Sequence, residues 1–297
     1  MTGHGERTKV QRRAQRERRY AGQRKQTVSR ATLYIILAFA GIVAMIPFVW
    51  MILGSFKTGA EIRQIPPTFW PENPTLDNFR TILNDPDLPL LLFYRNSMFI
   101  AIMNVFSVLF VGSLLGYIFA KFRFKGRDIV FWYILATMMI PAQLTMIPGF
   151  LLLAEFGLLN NLWGLIVPSA VDAFAIFLMR QFIISVPDSL IQAARVDGAS
   201  EFRIYWQIVL PQIKPALATL GLLTFMFNWN AYLWPLIVLT EQSKRTLPII
   251  LTWYSTQNSS QLQLVMAASV LMVIPVLIIF AISQRWIVKG LTLTGLK

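Results

Sequence analysis

Within the long apolar stretches of this 297-residue chain, few side chains could do chemistry. Asp172 stands alone as an acid in LIVPSAVDAFAIFLMR, residues 165–180. An ionisable group at membrane depth is costly and marks a candidate functional position. Arg180 lies eight residues on, about 12 Å along a helix, too far for an easy direct pair. The amides of Asn104, Asn228 and Asn230 are further candidates for a polar translocation path, although amides in such runs more commonly bond helix to helix. Catalysis is a poor match. The chain has no cysteine, and its one histidine, His4, sits in a charged tail. With no second acid in the apolar runs, neither a metal centre nor a nucleophile–base set can be assembled, so no catalytic and no metal-binding residues are expected.

The elements that must position these groups follow from composition. Hydrophobic residues make up 56% of the chain and charged residues 14%, against about 25% charged in an ordinary soluble domain. Six runs are long enough to cross a bilayer as helices, which takes roughly 20 apolar residues each. They fall near 31–54, 96–120, 129–153, 161–181, 215–239 and 264–286. Long unbroken runs rather than short alternating ones exclude a β-barrel. The expected class is therefore all-α, a polytopic membrane protein with six transmembrane helices. Pro141, Pro148, Pro168, Pro235 and Pro275 are expected to kink or end spans.

Charge orients the array. Residues 1–30 hold ten of the 27 Lys and Arg, and alternate connections put twenty-one on one side against six on the other. The positive excess belongs in the cytoplasm, so both termini are expected inside a plasma membrane. A basic tail of this kind could also meet nucleic acid or anionic lipid. Beside a first span it is read as a solvated, topology-setting tail, with no nucleic-acid partner. The expected organisation is a tail (1–30), a first span (31–54), an outer loop (55–91), a core (92–286) containing an inner loop at 187–211, and an inner C-terminus (287–297).

That inner loop contains QAARVDGASEFRIYWQIVLP, residues 192–211. Pro187-Asp188 reads as a helix start with Asp188 as the cap, Gly198 as a sharp turn, and Ser200 as the cap of a second helix. Phe202, Tyr205, Trp206 and Val209 fall at helical spacing on one face, and Pro211 ends or breaks the helix. Periodicity alone leaves two readings open: an interfacial helix on lipid headgroups, or a docking element for a cytoplasmic partner.

The spacing of Gln192, Ala193, Ala194, Gly198, Ile208, Leu210 and Pro211 resembles the cytoplasmic EAA loop of permease subunits in ATP-binding-cassette importers. FGLLNNLWGLIVP (156–168), FLMRQFIISVPDSL (177–190), VDGAS (196–200), NWNAYLWPLIVL (228–239) and KRTLPIIL (244–251) are similar to its carbohydrate branch, in the six-span subunit type of the maltose importer. SFKTGAEI (55–62) and PTLDNF (74–79) fit as well, so the resemblance covers most of residues 30–297. Two departures stand out: Gln192 replaces the family's leading Glu, removing a charge but not the hydrogen bonding, and Ala231 stands where many relatives carry an acid.

The resemblance implies a type I importer permease fold, with Gln192, Ala193, Ala194, Asp197, Gly198, Ile208, Leu210 and Pro211 forming a loop that docks on an ATPase. It implies as partners two ATPase subunits, a second permease that is a related chain, and an extracytoplasmic solute-binding protein; the outer segments at 55–95 and 240–263 are placed to meet that protein. ATP and magnesium would be held by the ATPase. This chain lacks a G-x-x-x-x-G-K-[ST] phosphate cradle, so it binds no cofactor of its own and is not expected to be an enzyme. The implied solute is a sugar or sugar derivative, and the location a bacterial or archaeal plasma membrane. The rival reading is a secondary transporter driven by an ion gradient. It calls for several midplane ionisable groups and internal repeats, and the sequence offers Asp172 and no clear repeat.

Overall fold

A computed structural model of the chain describes residues 32–86, 89–257 and 261–294. The basic tail and His4 lie outside the described residues, as does the extreme C-terminus. Among the described residues every regular element is helical. Helix α1 (Thr32–Ser55) is an unbroken apolar run exposed along most of its length. It joins the rest at its C-terminal end, where Gly54 packs so closely on Met266 that a side chain there would strike the sulfur.

The following loop is folded rather than loose. Asn78, on α2 (Asp77–Leu83), donates to the carbonyls of Ser55 and Lys57, both at 2.8 Å. Lys57 and Glu61 are both buried and 4.0 Å apart. Thr68 lies between them, accepting from Lys57 and donating to Glu61, and the Glu72 amide also donates to Glu61 at 2.8 Å. Such bonds offset part of what burial costs these charges, and they reach only one of the two Glu61 oxygens.

Helix α3 (Leu90–Lys121) is the central column. Gly112 and Gly116, one turn apart, let it lie directly on α7 (Ala173–Ile184), where Ala175 and Met179 occupy the space that side chains would need. This is the small-residue packing by which membrane helices approach closely.

Three expected spans are not single helices. The run at 129–153 is α4 (Arg127–Thr137) and α5 (Ala142–Glu155), bent by 98°. Pro141 sits at the break, and a residue before proline is driven out of helical geometry. The run at 161–181 is α6 (Trp163–Ile166), a 3-10 turn at Pro168–Ala170, and α7 (Ala173–Ile184), with a 43° bend. The run at 215–239 is α11 (Lys214–Trp229), an irregular stretch at 230–232, and α12 (Leu233–Val238). Pro148 and Pro275 instead lie inside helices. The 187–211 loop supplies α8 (Asp188–Val196), α9 (Glu201–Ile204), a π turn (Tyr205–Val209) and α10 (Leu210–Gln212). Helix α13 (Leu247–Gln257) and α14 (Leu262–Thr294) complete the bundle.

Two apolar cores lie at opposite ends of α3. The first surrounds Trp229, which stacks on Phe225, meets Tyr94 edge-on, and donates its indole N–H to the Met272 carbonyl. The second joins α3 and α7 to the 187–211 loop through Met179, Ile183, Ile204, Tyr205 and Val209.

Candidate functional site

The 187–211 loop is built from two capped helices and one tight turn. The N-cap of α8 is Pro187, not Asp188 as the sequence suggested. Asp188 is drawn away by Lys121, the last residue of α3, whose ammonium lies 2.6 Å from its carboxylate and also donates to the Val186 carbonyl. At the other end of α8 the Ala199 amide bonds the Ala194 carbonyl and the Gly198 amide bonds that of Arg195. This is the Schellman arrangement, and it needs a left-handed residue at its turn. Gly198 supplies it with φ of +80°. Ala194 and Ala199, on either side of the turn, both pack against the core beneath the loop. Ser200 caps α9 as expected, accepting from the Arg203 amide.

The apolar stripe divides where a single face was expected. The π turn at Tyr205–Val209 adds a residue to the helical turn, so Ile204, Tyr205 and Val209 point inward and are almost wholly buried. Phe202 and Trp206 face outward, 61% and 56% exposed, and stack on each other. Gln192, Ala193, Asp197, Gly198 and Pro211 are also exposed, while Ala194, Ile208 and Leu210 are half-buried against the core. Val196, 88% exposed, forms the tip beside the turn. The helix does not end at Pro211. It runs to Gln212 and then turns by 82° into α11, with Pro215 in the first turn of that helix.

Sequence reasoning missed the residues that hold this loop. Ser113, Tyr117 and Lys121 recur every four residues along one face of α3. Ser113 shares a 2.7 Å hydrogen bond with the Tyr205 hydroxyl. Tyr117 donates to Glu201 at 2.8 Å, and Lys121 holds Asp188. The other Glu201 oxygen accepts from Arg195 at 2.6 Å, closing α8 onto α9. The i, i+4, i+8 spacing of three hydrogen-bonding residues on an apolar helix was the available signal.

Arg195, and then Tyr117, hold the Glu201 carboxyl below the usual carboxylate range. Lys121 does the same for Asp188. A carboxylate depressed in the folded state stabilises fully above its unfolded pKa and loses that contribution as the pH falls through the folded value. Acidification below the ordinary carboxylate range is therefore expected to lower the melting temperature of the purified protein more steeply for wild type than for Glu201→Gln. Equal slopes would show that Glu201 contributes no such linkage.

The candidate path residues do not gather into one site. Asn104 is fully buried on α3 and donates to Asn228 at 2.9 Å. Asn228 donates in turn to the Thr224 carbonyl, within α11. This pair ties helix to helix, so Asn104 lines no open surface in this structure. Asn230 is exposed and donates to the Met226 carbonyl at the end of its own helix. Asp172 is not mid-helix. It caps α7, accepting from the Ala175 amide at 2.6 Å, in an extended break after Pro168–Ala170. Among the described residues no cluster of metal-ligating side chains occurs.

The chain's relatives can be set beside this geometry. Residues 112–293 match the model of a family described as binding-protein-dependent transport system inner membrane components. The arabinooligosaccharides transport system permease protein AraQ of Halalkalibacterium halodurans is 36% identical over 267 residues, covering 89% of this chain and 95% of that protein. The lactose transport system permease protein LacG of Rhizobium radiobacter is 35% identical over 87% of this chain and 93% of its own length. An sn-glycerol-3-phosphate transport system permease protein, UgpE of Yersinia pestis, is 33% identical over 87% of this chain and 94% of its own. Among solved structures, a chain of a bacterial ABC transporter involved in the import of the acidic polysaccharide alginate superposes with a TM-score of 0.76 at 29% identity, covering 88% of this chain and 97% of that one. The fold is that of a type I ABC-importer permease, and the protein is a multi-pass membrane protein. The chain belongs to the family of binding-protein-dependent transport system inner membrane components.

Proposed function

We propose that this chain is one permease subunit of an ATP-driven importer, forms half of the translocation path for a sugar or sugar-derived solute, and couples to a cytoplasmic ATPase through the 187–211 loop. The observation that carries the coupling role is the construction of the loop. Its inner face is fixed to α3 and α7, and its outer face offers Val196, the Gly198 turn and the Phe202–Trp206 pair. A surface so firmly held and so apolar is suited to receive force from a docked partner. The sugar assignment rests on relatives whose names give arabinooligosaccharide and lactose transport.

In this reading both termini face the cytoplasm, as the charge asymmetry directs. The partners are two ATPase subunits, a second permease of related sequence, and a solute-binding protein outside. The chain carries no hydrolytic activity; ATP and magnesium belong to the ATPase. ATP binding draws the two inner loops together and turns the spans from inward-facing to outward-facing. Asp172, Asn228 and Asn230 remain candidates for contact with solute, while Asn104 acts through its bond to Asn228.

The test is purification from a mild detergent by a C-terminal tag, with stoichiometric partners identified by mass spectrometry. An ATPase with a phosphate-binding glycine-rich sequence and a second permease are expected. A folded chain that comes alone, with its tightest association in lipid, would contradict the proposal.

A further inference from the structure

Helix α3 holds a second loop at its other end. Asn96, 2% exposed, donates to the carbonyls of Ser243 and Arg245, both at 3.0 Å. Ser97, also buried, accepts from the Leu247 amide at 2.8 Å. The 240–247 segment, which follows α12, is thereby fixed to the first two turns of α3. At the far end Ser113, Tyr117 and Lys121 fix the 187–211 loop. From Ser97 to Tyr117 is about 30 Å of helix, which matches the thickness of the hydrocarbon core of a bilayer. Between the two ends α3 has no proline and no break, and Gly112 and Gly116 seat it against α7 with almost no clearance.

We propose that Ser113, Tyr117 and Asn96 are positioning residues that make the 187–211 loop, α3 and the 240–247 loop one rigid strut across the membrane. The idea rests on the coupling role assigned to the 187–211 loop. A displacement applied to that loop then appears at the 240–247 loop without a hinge. The chemistry favours rigidity. Each clamp is a buried side chain bonded either to another side chain or to backbone carbonyls, and breaking it would leave an unpaired polar atom out of reach of water. The charged members, Arg195, Glu201, Asp188 and Lys121, surround the inner clamp and add ion pairs to it. The clamps leave Val196, Asp197 and Gly198 free at the docking tip, so holding the loop and docking it are tasks of different residues.

The absence of cysteine allows site-specific spin labels. Labels at Gln212→Cys and Gln242→Cys report the distance between the two loops in the purified importer complex, by pulsed electron resonance, with and without ATP and vanadate. Trapped nucleotide is quantified in each sample. The wild-type background is expected to give the same narrow distance in both states. Ser113→Ala with Tyr117→Phe, and separately Asn96→Ala, are expected to broaden the distribution or shift it by about 5 Å, one helical turn, when nucleotide is trapped. Tyr117→Phe alone serves where the double variant is poorly folded. A merely structural role would lower the yield of complex without making the distance respond to nucleotide. A shift of about 5 Å in the wild-type background, or variants as narrow as wild type with nucleotide trapped, would overturn the strut. If no ATPase accompanies the chain, the coupling reading fails on its own. The strut is then judged without nucleotide, where variants no broader than wild type would overturn it.

Discussion

Replacing Gly116 by valine is expected to separate α3 from α7 and to lower the thermal stability of the purified protein by several degrees. A Cβ built on Gly116 would lie 2.8 Å from the Met179 Cβ, 2.9 Å from the Arg180 amide nitrogen and 3.1 Å from the Met179 carbonyl carbon. These are backbone and near-backbone atoms, which cannot swing aside as the end of a long side chain can. Overpacking of this kind costs about 1–3 kcal/mol where the surroundings relax, and a branched side chain against a backbone belongs at the upper end. The damage should spread, because α3 and α7 together carry the 187–211 loop. Gly41→Ala is the control. It lies on α1 with nothing near its Cβ position, and alanine is the better helix residue by about 1 kcal/mol. Melting followed by fluorescence in detergent measures both. A Gly116→Val protein that melts like wild type would show that the close approach of α3 to α7 is dispensable.

The second large effect is expected at Gly198, and it should fall on association rather than on folding. A side chain at this position meets nothing within 4 Å in the chain alone. Its local cost is the left-handed backbone, which asparagine and aspartate tolerate better than other residues. Gly198→Asn and Gly198→Asp should therefore fold alike. They differ once the loop is covered by the ATPase. Aspartate then buries a carboxylate without a partner, at a cost of about 3 kcal/mol, or roughly a hundredfold in affinity. The expected result is that Gly198→Asn retains most of the co-purifying ATPase and Gly198→Asp loses nearly all of it, at equal yield of folded chain. Equal retention would place the turn outside the docking surface.

Much of this arrangement was legible in the sequence because it depends on local signals. The turn at Gly198, the cap at Ser200 and the half-polar loop between apolar runs are written within a few residues of where they act. The breaks were only partly legible. Pro141 and Pro168 announced themselves, but Asp172 read as a buried charge in a span because hydropathy cannot show that the chain leaves helical geometry at Val171 and Asp172. The outward turn of Phe202 and Trp206 was hidden because an α-helical period was applied to a segment that contains a π turn. The clamps were least visible. Ser113 and Tyr205 are 92 positions apart, Tyr117 and Glu201 are 84, and Asn96 and Arg245 are 149. Nothing local says that these side chains meet; the packing of α3 on α7 at one end, and on α11 and α13 at the other, brings them together.

The most direct test of the account is chemical capture at the tip of the loop. Val196 is 88% exposed, and the chain has no cysteine to compete with a new one. Val196→Cys, treated in native membranes with a short thiol-reactive photo-crosslinker, should capture the ATPase subunit, identified by mass spectrometry. Ile129→Cys, 76% exposed on α4, should not. Capture of the ATPase from position 196 alone is the predicted result. Crosslinks from position 196 to lipid only, with the complex intact, would contradict the claim that this loop is where the permease meets its motor.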